Sequence, residues 1–225
     1  MPTPLESDLR WVRPPQQVRS QETLDRILAA ASSLVAAKGF EDTPVSEIVA
    51  RAGSSVGAFY ARFPDKHALL HALSHRFVEE GMATADAALD PRRWEGLSVS
   101  EIIASVLRFL VSIYREQGGL IRAFVIRNHT DPEFRERQDR LSTYVNDRVS
   151  RLLLERIEEI HAPHPERAIR FGLTLVFSAL ENVMLFDELR PNWLTLSDDE
   201  FAAELTRVYL AYLGVTSTND RIKES

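Results

Sequence analysis

The sequence predicts an all-α protein, with an N-terminal head of three helices, a C-terminal helical bundle and about nine helices in all. Apolar residues recur at spacings of three and four along most of the 225-residue chain, with no strand-like alternation and no internal repeat. Helix-capping patterns, glycines and prolines divide this periodicity into segments of helical length. A chain of this length can bury the cores of one small domain and one larger domain.

The first helix is predicted over residues 20–38, where the apolar side chains form one stripe and Gly39 ends the helix. A short second helix follows, with Thr43 as its cap and Pro44 in its first turn. Gly53 ends this helix by adopting the left-handed backbone conformation.

A third helix, very short, can be capped by Ser55 and ends at Pro64. Two short helices joined by a tight glycine-containing turn form a helix-turn-helix, whose second helix enters the DNA major groove. Gly57 leaves one face of that second helix without a side chain, so a backbone or a phosphate can approach it closely.

Residues at fixed spacing in this segment resemble the signature of the tetracycline-repressor-like (TetR-like) transcriptional regulators, and the resemblance covers residues 20–73. Ser54 and Arg62 depart from the family, which usually has an apolar residue and often has histidine at these positions. Both departures bear on operator contacts. The matching residues are Ile27 through Ala31, Lys38 through Phe40, Thr43, Ile48, Ala52, Gly53, Ser55, Gly57, Tyr60, Phe63 and Lys66.

The resemblance implies a DNA-binding domain over residues 17–66, preceded by a flexible arm over 1–16 and followed by a ligand-binding and dimerisation domain over 67–225. Phosphate contacts are expected from one group of side chains, namely Thr43, Tyr60 and Lys66. Base edges are expected to lie nearest a second group, namely Ser54, Ser55, Ala58 and Arg62, with Gly57 beside them. The short side chains in the second group leave room for readout of DNA shape.

A long helix is predicted over residues 65–89, and it carries His67, His71 and His75 on one face. Histidines four residues apart can ligate a metal ion. No cysteine and no pattern of carboxylates supports such a site, so we predict a solvated histidine face, no metal and no cofactor.

Five further helices are predicted in the body. One begins at the capping box of Ser98 and ends at Gly118, a short one covers 120–129, and a long one covers 131–160. The next covers 165–189, and the last begins at the capping box of Ser197.

The 165–189 helix is apolar on every face, which predicts that one face lines a cavity while another contacts a second subunit. The resemblance implies that this helix and the last one form a four-helix interface in a homodimer. A two-fold dimer then requires a palindromic operator, with half-sites about 34–36 Å apart or multiples of that distance. The expected interface residues are Val176, Leu180, Met184, Leu205, Val208 and Tyr212.

A small-molecule effector site is expected in the body, because such sites are mostly apolar with a few polar anchors. Glu181 and Asn182 interrupt the apolar helix, and a buried carboxylate needs a partner. They pair with Arg122 or Arg127, pair across the dimer or orient a ligand. The candidate effector-site residues are Phe109, Ile113, Arg122, Phe124, Tyr144, Phe177 and Glu181.

Composition narrows the function classes. The net charge of −6 lies wholly in residues 76–225, because residues 1–75 carry eight basic and eight acidic residues. A neutral head on an acidic body suits specific rather than non-specific DNA binding. The chain has no cysteine, no secretory core and no run approaching the roughly 20 apolar residues of a membrane span. These features favour a cytoplasmic protein with no membrane contact.

The sequence therefore predicts a ligand-responsive regulator, most simply a repressor, whose partners are operator DNA, a small effector and a second copy of the chain. No nucleophile, base and orienting group converge in the sequence, so an enzyme is not expected. The alternative is a helical protein-interaction module whose DNA-binding head has lost its function.

Overall fold

The structure, a computed structural model, describes residues 18–186 and 195–215, and in these ranges it contains eight α-helices and no strand. The predicted all-α fold is confirmed. The predicted arm over residues 1–16 lies outside the described residues. The helices are α1 (Val18–Lys38), α2 (Val45–Arg51), α3 (Val56–Tyr60), α4 (Lys66–Ala88), α5 (Val99–Asn128), α6 (Pro132–Leu154), α7 (Pro165–Leu180) and α8 (Asp198–Leu213). Two 3-10 turns, Pro91–Trp94 and Ile157–Glu159, and a π turn, Glu181–Leu185, complete the described elements.

The chain divides into two compact units. Of the described residues, the first contains 18–80 and 117–140, and the second contains 81–116, 141–186 and 195–215. The assignment of residues 17–66 and 67–225 to DNA binding and ligand binding concerns function and stays a prediction.

The first unit is built around one apolar core to which α1, α2, α3 and the first turns of α4 all contribute. The C-terminal half of α5 and the start of α6 add Leu120, Phe124 and Phe134 to it. The core side chains with no exposed surface are Ile27, Ala31, Val35, Ile48, Phe59, Phe63 and Leu69.

Helix α5 runs without interruption through Gly118 and Gly119, so the predicted helix end there and the separate helix over 120–129 are wrong. The reason is a close approach to α1. A Cβ at Gly119 would lie 2.3 Å from the Val35 carbonyl oxygen and 2.7 Å from that of Ala36. This glycine therefore serves helix contact and does not end the helix.

Both predicted capping boxes are present in the second unit. The Ser98 amide donates to Glu101 Oε2 at 2.8 Å, and the Glu101 amide donates to Ser98 Oγ at 3.3 Å. Ser197 and Glu200 make the same pair of hydrogen bonds at the start of α8. Each box satisfies amides that a helix start leaves without partners.

Helix α6 ends at Leu154, earlier than the predicted end near residue 160. Arg156 explains the change, because its guanidinium donates to the carbonyl oxygens of Leu97 at 2.7 Å and Trp94 at 2.6 Å. A 3-10 turn follows, and Glu159 Oε2 then accepts a hydrogen bond from the Val99 amide at 2.9 Å.

Helices α7 and α8 contact each other closely at Gly172, where a Cβ would lie 2.1 Å from the Tyr209 ring. The buried Tyr209 hydroxyl donates to the Ile169 carbonyl at 2.7 Å. The α-helical part of the predicted 165–189 helix ends at Leu180, and the π turn continues it to Leu185.

By length and composition, Pro165–Leu185 could cross a membrane, so the expectation that no run approaches a membrane span is wrong. The same composition is found in core helices of soluble proteins, and six of the 16 residues of α7 are buried here.

The three histidines of α4 do not form a solvated face. His67 is exposed and accepts a hydrogen bond from Arg127 at 2.9 Å on Nδ1, whereas His71 and His75 are 7% and 8% exposed. In the described residues no group of three or more histidines, aspartates or glutamates could hold a metal ion.

His71 instead connects α4 to the start of α6. Its Nε2 lies 3.1 Å from Asp131 Oδ2, and its Nδ1 lies 3.3 Å from Arg137 Nη1. A neutral ring satisfies both contacts, with Nε2–H donating to the carboxylate and Nδ1 accepting from the guanidinium. Burial lowers the pKa of His71, opposed by the carboxylates of Asp131, Glu133 and Asp65 and assisted by Arg137.

Gly119→Ala is expected to destabilise the protein by about 2 kcal/mol or more, because the added methyl overlaps main-chain atoms of α1 that no side-chain rotation can clear. Urea unfolding followed by circular dichroism measures the change. Gly57→Ala is the matched control, since only Ser55 Oγ lies within 4 Å of its Cβ, at 3.9 Å. An unchanged midpoint for Gly119→Ala would contradict the close approach.

The contribution of His71 to stability is expected to decrease as the pH falls from about 7.5 to about 5.5. The unfolded chain takes up a proton near pH 6.5, whereas burial keeps the folded imidazole neutral to lower pH. The difference in unfolding free energy between wild type and His71→Gln should therefore narrow towards acid pH. His67→Gln, which removes an imidazole from the same helix, is measured in parallel. A difference that widens towards acid pH would show that the folded protein holds His71 charged.

Candidate nucleic-acid interface

The two short helices of the head are joined by the tight turn that the sequence predicted. Gly53 has a φ of 58°, and the Ser54 amide donates to the Val49 carbonyl at 2.8 Å. Ser55 then caps α3, because its Oγ accepts a hydrogen bond from the Ala58 amide at 3.1 Å. The helix-turn-helix follows from these local contacts.

Helix α3 has only five residues, so its position depends on the core beneath it. Phe59 is completely buried, and its ring centroid lies 5.2 Å from that of Phe63. Behind the turn, the Arg26 guanidinium donates to the Ala52 carbonyl at 3.1 Å. The inner face of α3 is thus fixed and its outer face is left to solvent.

Thr43 does not cap α2. The cap residue is Pro44, with no side-chain hydrogen bond, and the Thr43 hydroxyl donates to the Gly39 carbonyl at 2.7 Å. Thr43 has no exposed surface, so its side chain maintains the loop between α1 and α2. A phosphate contact from this side chain, as predicted, would require the loop to open.

The outer face of α3 exposes Val56, Gly57 and Tyr60, with Val56 and Tyr60 47% and 49% exposed. Residues 56 and 60 are four apart and therefore lie on one face. Ala58 and Ser54 are half-buried. Val56 was absent from the predicted contacts, although its helical spacing from Tyr60 could have identified it.

The Lys66 ammonium contacts the head itself. It donates to the carbonyl oxygens of Phe40 and Glu41, and it lies 4.2 Å from the centroid of the Phe40 ring. Burial lowers the pKa of Lys66, and the carboxylates of Glu41 and Asp42 partly offset this. Lys66 therefore ties the start of α4 to the loop after α1.

The predicted effector-site residues are divided between the two units. Arg122 and Phe124 lie in the first unit, where Phe124 is buried and its ring centroid is 5.5 Å from that of Phe77. Phe124 is therefore a core residue. The other five predicted residues, Phe109, Ile113, Tyr144, Phe177 and Glu181, belong to the second unit.

Tyr114 was missed and belongs with Glu181. It is 8% exposed, and burial raises the pKa of its hydroxyl, with the charge of Glu181 adding to the increase. Elsewhere in the second unit, the Tyr144 hydroxyl donates to Asp86 at 2.6 Å and accepts from Arg148 at 2.8 Å. Periodicity alone does not reveal that the charge of Glu181 acts on a buried tyrosine.

The predicted dimer residues separate by burial. Val176 and Leu180 are 3% and 0% exposed within one chain, so they have almost no surface to give to a partner, and their assignment to an interface stays a prediction that this burial does not favour. Met184 and Leu205 are half-buried. Val208 and Tyr212 are exposed, and two unpredicted α7 residues, Phe171 and Leu175, are exposed with them. We call Phe171, Leu175, Val208 and Tyr212 the α7–α8 stripe.

The sequence of the N-terminal head resembles that of known proteins. The sequence profile of bacterial regulatory proteins of the tetR family matches residues 27–73. An uncharacterized HTH-type transcriptional regulator of Bacillus subtilis, YvdT, is 35% identical over 54 residues. That match covers 24% of this chain and 28% of the length of that relative.

Solved structures match the fold of nearly the whole chain. A tetR-family regulator from Mesorhizobium loti superposes with a TM-score of 0.65 at 18% identity, covering 87% of this chain and 98% of that one. Salmonella enterica GusR superposes with a TM-score of 0.59 at 20% identity, covering 88% of this chain and 98% of that one. RolR, solved in complex with resorcinol, superposes with a TM-score of 0.51 at 24% identity, covering 90% of this chain and 93% of that one.

These structural likenesses concern the fold, whereas the profile match concerns the helix-turn-helix itself. The matched residues 27–73 include all of α2 and α3, the turn between them and the start of α4. Over this segment, the chain is similar to the tetR family of bacterial regulatory proteins.

Proposed function

We propose that this chain is a ligand-responsive repressor in the cytoplasm, a regulator and not an enzyme. It binds palindromic operator DNA as a homodimer and is released by a small, largely apolar effector. The observation that carries this proposal is the outer face of α3, where Gly57 lies exposed between Val56 and Tyr60 on a head of the tetR family.

Gly57 has no role that the fold explains. Its φ is not positive, and only Ser55 Oγ, at 3.9 Å, lies near a Cβ built there. A glycine inside a helix costs roughly 0.5–1 kcal/mol relative to alanine. Close approach of another molecule to the α3 backbone accounts for the missing methyl, and the major groove of DNA is the partner that the helix-turn-helix fits.

Phosphate contacts follow from the positions around this face. The Tyr60 side chain is half exposed, so its hydroxyl can reach a phosphate oxygen. Arg62 and Lys66 supply positive charge close by, and the Lys66 ammonium would share its protons between a phosphate and the Phe40 carbonyl. Arg62 and Lys66 in two heads can neutralise four phosphates, which makes DNA affinity depend on salt.

The effector site is proposed in the second unit, around Tyr114 and Glu181. The π turn Glu181–Leu185 begins at this glutamate, and π turns inside helices are frequent at functional sites. Phe177 lies one helical turn before it on α7. An apolar molecule with one or two hydroxyl groups suits a wall of this composition, and RolR in its resorcinol complex binds such a molecule. Effector binding would shift the dimer between states of high and low operator affinity.

The dimer interface is proposed at the α7–α8 stripe. Its four side chains are between 45% and 60% exposed, and the ring centroids of Phe171 and Tyr212 lie 5.8 Å apart. A second copy related by a two-fold axis would bring the same stripe onto itself and remove it from water. Burial of this stripe also accounts for the apolar character of α7 on the side away from its own core.

DNA binding is expected to weaken about 100-fold between roughly 50 and 200 mM salt, if four phosphates are neutralised per dimer. A selection from random duplex DNA identifies the site, and a fluorescence titration across salt concentrations measures the slope. A protein-interaction module with an inactive head would give no saturable DNA binding at low salt, and that result would reject the proposal.

Gly57→Ala sharpens the test. The variant should be slightly more stable in urea and yet bind the selected DNA at least about tenfold more weakly, because the methyl occupies the space that DNA needs. Ala37→Gly is the control, since it makes the reverse change at an exposed position of α1. Its stability should fall while its DNA affinity stays at the wild-type value. Equal DNA affinity of Gly57→Ala and wild type would count against α3 as the DNA-reading helix.

Val208→Asp is expected to convert the dimer into a monomer of 25.5 kDa, because two-fold symmetry would bury the new carboxylate twice without partners. Mass photometry or light scattering over a concentration series should show a dissociation constant at least about 100-fold higher than that of wild type. Ala203→Asp is the matched control, because it lies on α8 about 140° around the helix from Val208. Dissociation by both variants or by neither would contradict the stripe as the interface.

A further inference from the structure

The outer face of α3 is poor in hydrogen-bonding groups. The five residues of the helix are Val56, Gly57, Ala58, Phe59 and Tyr60, and the Tyr60 hydroxyl is their only polar side-chain group. Guanine, adenine and cytosine are usually recognised by arginine, lysine, asparagine, glutamine or acidic side chains that exchange hydrogen bonds with the base edge. Helix α3 contains none of these.

Three polar residues flank α3, namely Ser54, Ser55 and Arg62. Ser55 Oγ accepts from the Ala58 amide at 3.1 Å, which uses one of its two lone pairs in the helix cap. Ser54 and Arg62 are half-buried, and Arg62 has an interaction within the chain. Within α3 itself, direct polar readout is therefore limited to the Tyr60 hydroxyl.

Val56 is the aliphatic group that this face presents. It begins α3, directly before Gly57, and 47% of its surface is exposed while Phe59 occupies the core side of the same helix. Since Gly57 places no side chain next to it, the two methyl groups of Val56 are open to a base edge on this face. A single exposed valine is ordinary on a protein surface, and it acquires meaning here from its place on the DNA-reading helix.

We propose that Val56 is a specificity-determining residue that reads a thymine through the C5-methyl group in each operator half-site. Thymine is the base that presents a methyl group in the major groove, and an apolar side chain is its natural contact. This inference rests on the proposed DNA-binding function and adds the base class to it. Operator half-sites should accordingly contain a thymine at the position facing residue 56, which cytosine and uracil do not replace.

The test uses the full chain and the DNA selected from a random duplex pool. Each half-site thymine is replaced in turn by deoxyuridine, which removes only the methyl group. At one thymine position, the replacement should lower the affinity of the protein about fourfold per half-site. This corresponds to about 0.8 kcal/mol for one buried methyl group. This arm needs no protein variant and so does not depend on the folding of a mutant.

Val56→Ala completes a double-mutant cycle with the same DNA pair. On thymine DNA, the variant should bind about fourfold more weakly than wild type per half-site. On the deoxyuridine DNA, the affinities of the variant and the wild type should be almost equal, because the methyl contact is already absent. Ile126→Ala is the matched control, since Ile126 is a 50%-exposed aliphatic side chain of the same unit outside the head. It should bind both DNAs as wild type does.

The possible outcomes distinguish failure of the role of Val56 from failure of the proposed DNA-binding function. Saturable, salt-dependent binding in which no thymine is sensitive to loss of its methyl group would overturn the role of Val56 and leave the repressor in place. The role of Val56 would also be overturned if the losses of binding free energy caused by deoxyuridine and by Val56→Ala were simply additive. A selection that enriches no sequence, with no salt-dependent binding, would overturn the proposed function and this inference together.

Discussion

The burial of Phe59 is the constraint on which the head depends. A helix of five residues is too short to be stable alone, since nucleation costs more than so few hydrogen bonds return. Phe59 and Phe63 anchor α3 in the core of the first unit, and that core draws on α1, α2, α4, α5 and α6. The outer face can then be chosen almost free of stability requirements. This freedom explains how a glycine and an exposed valine can stand side by side on α3.

The polar contacts of the head follow the same logic. Thr43 and Lys66 carry side chains that nucleic-acid readout would favour, yet both are engaged with main-chain carbonyls of the loop after α1. His71 is similarly used, with its two ring nitrogens divided between Asp131 and Arg137. Unpaired, the buried polar groups of Thr43 and His71 would each cost more than the hydrogen bonds return. Residue type therefore indicates chemistry that is possible, while burial decides which chemistry is available.

The sequence predicted the elements whose signals are local. Both capping boxes, the Ser55 cap and the left-handed Gly53 depend on residues within four positions of one another, and all are present. Prediction from the sequence failed where one type of residue can serve either of two structural roles. Gly119 permits contact with α1 rather than ending α5, and an all-round apolar α7 does not show which face is core. The predicted interface consequently included the buried Val176 and Leu180 and left out the exposed Phe171.

The candidate site shows the same division in one short helix. Tyr60 and Gly57 were predicted from the sequence because they belong to a fixed spacing, but Val56 required knowledge of which α3 residues the core leaves exposed. Residue 56 lies only about 60° around the helix from Phe59, so spacing alone does not place it outside, and its exposure is known only from the burial of α3 in the structure. The residue that sets specificity is then the one that the core cannot use. For this reason, the chemistry of the DNA contact is best read from the exposed remainder of α3, after its buried anchor has been identified.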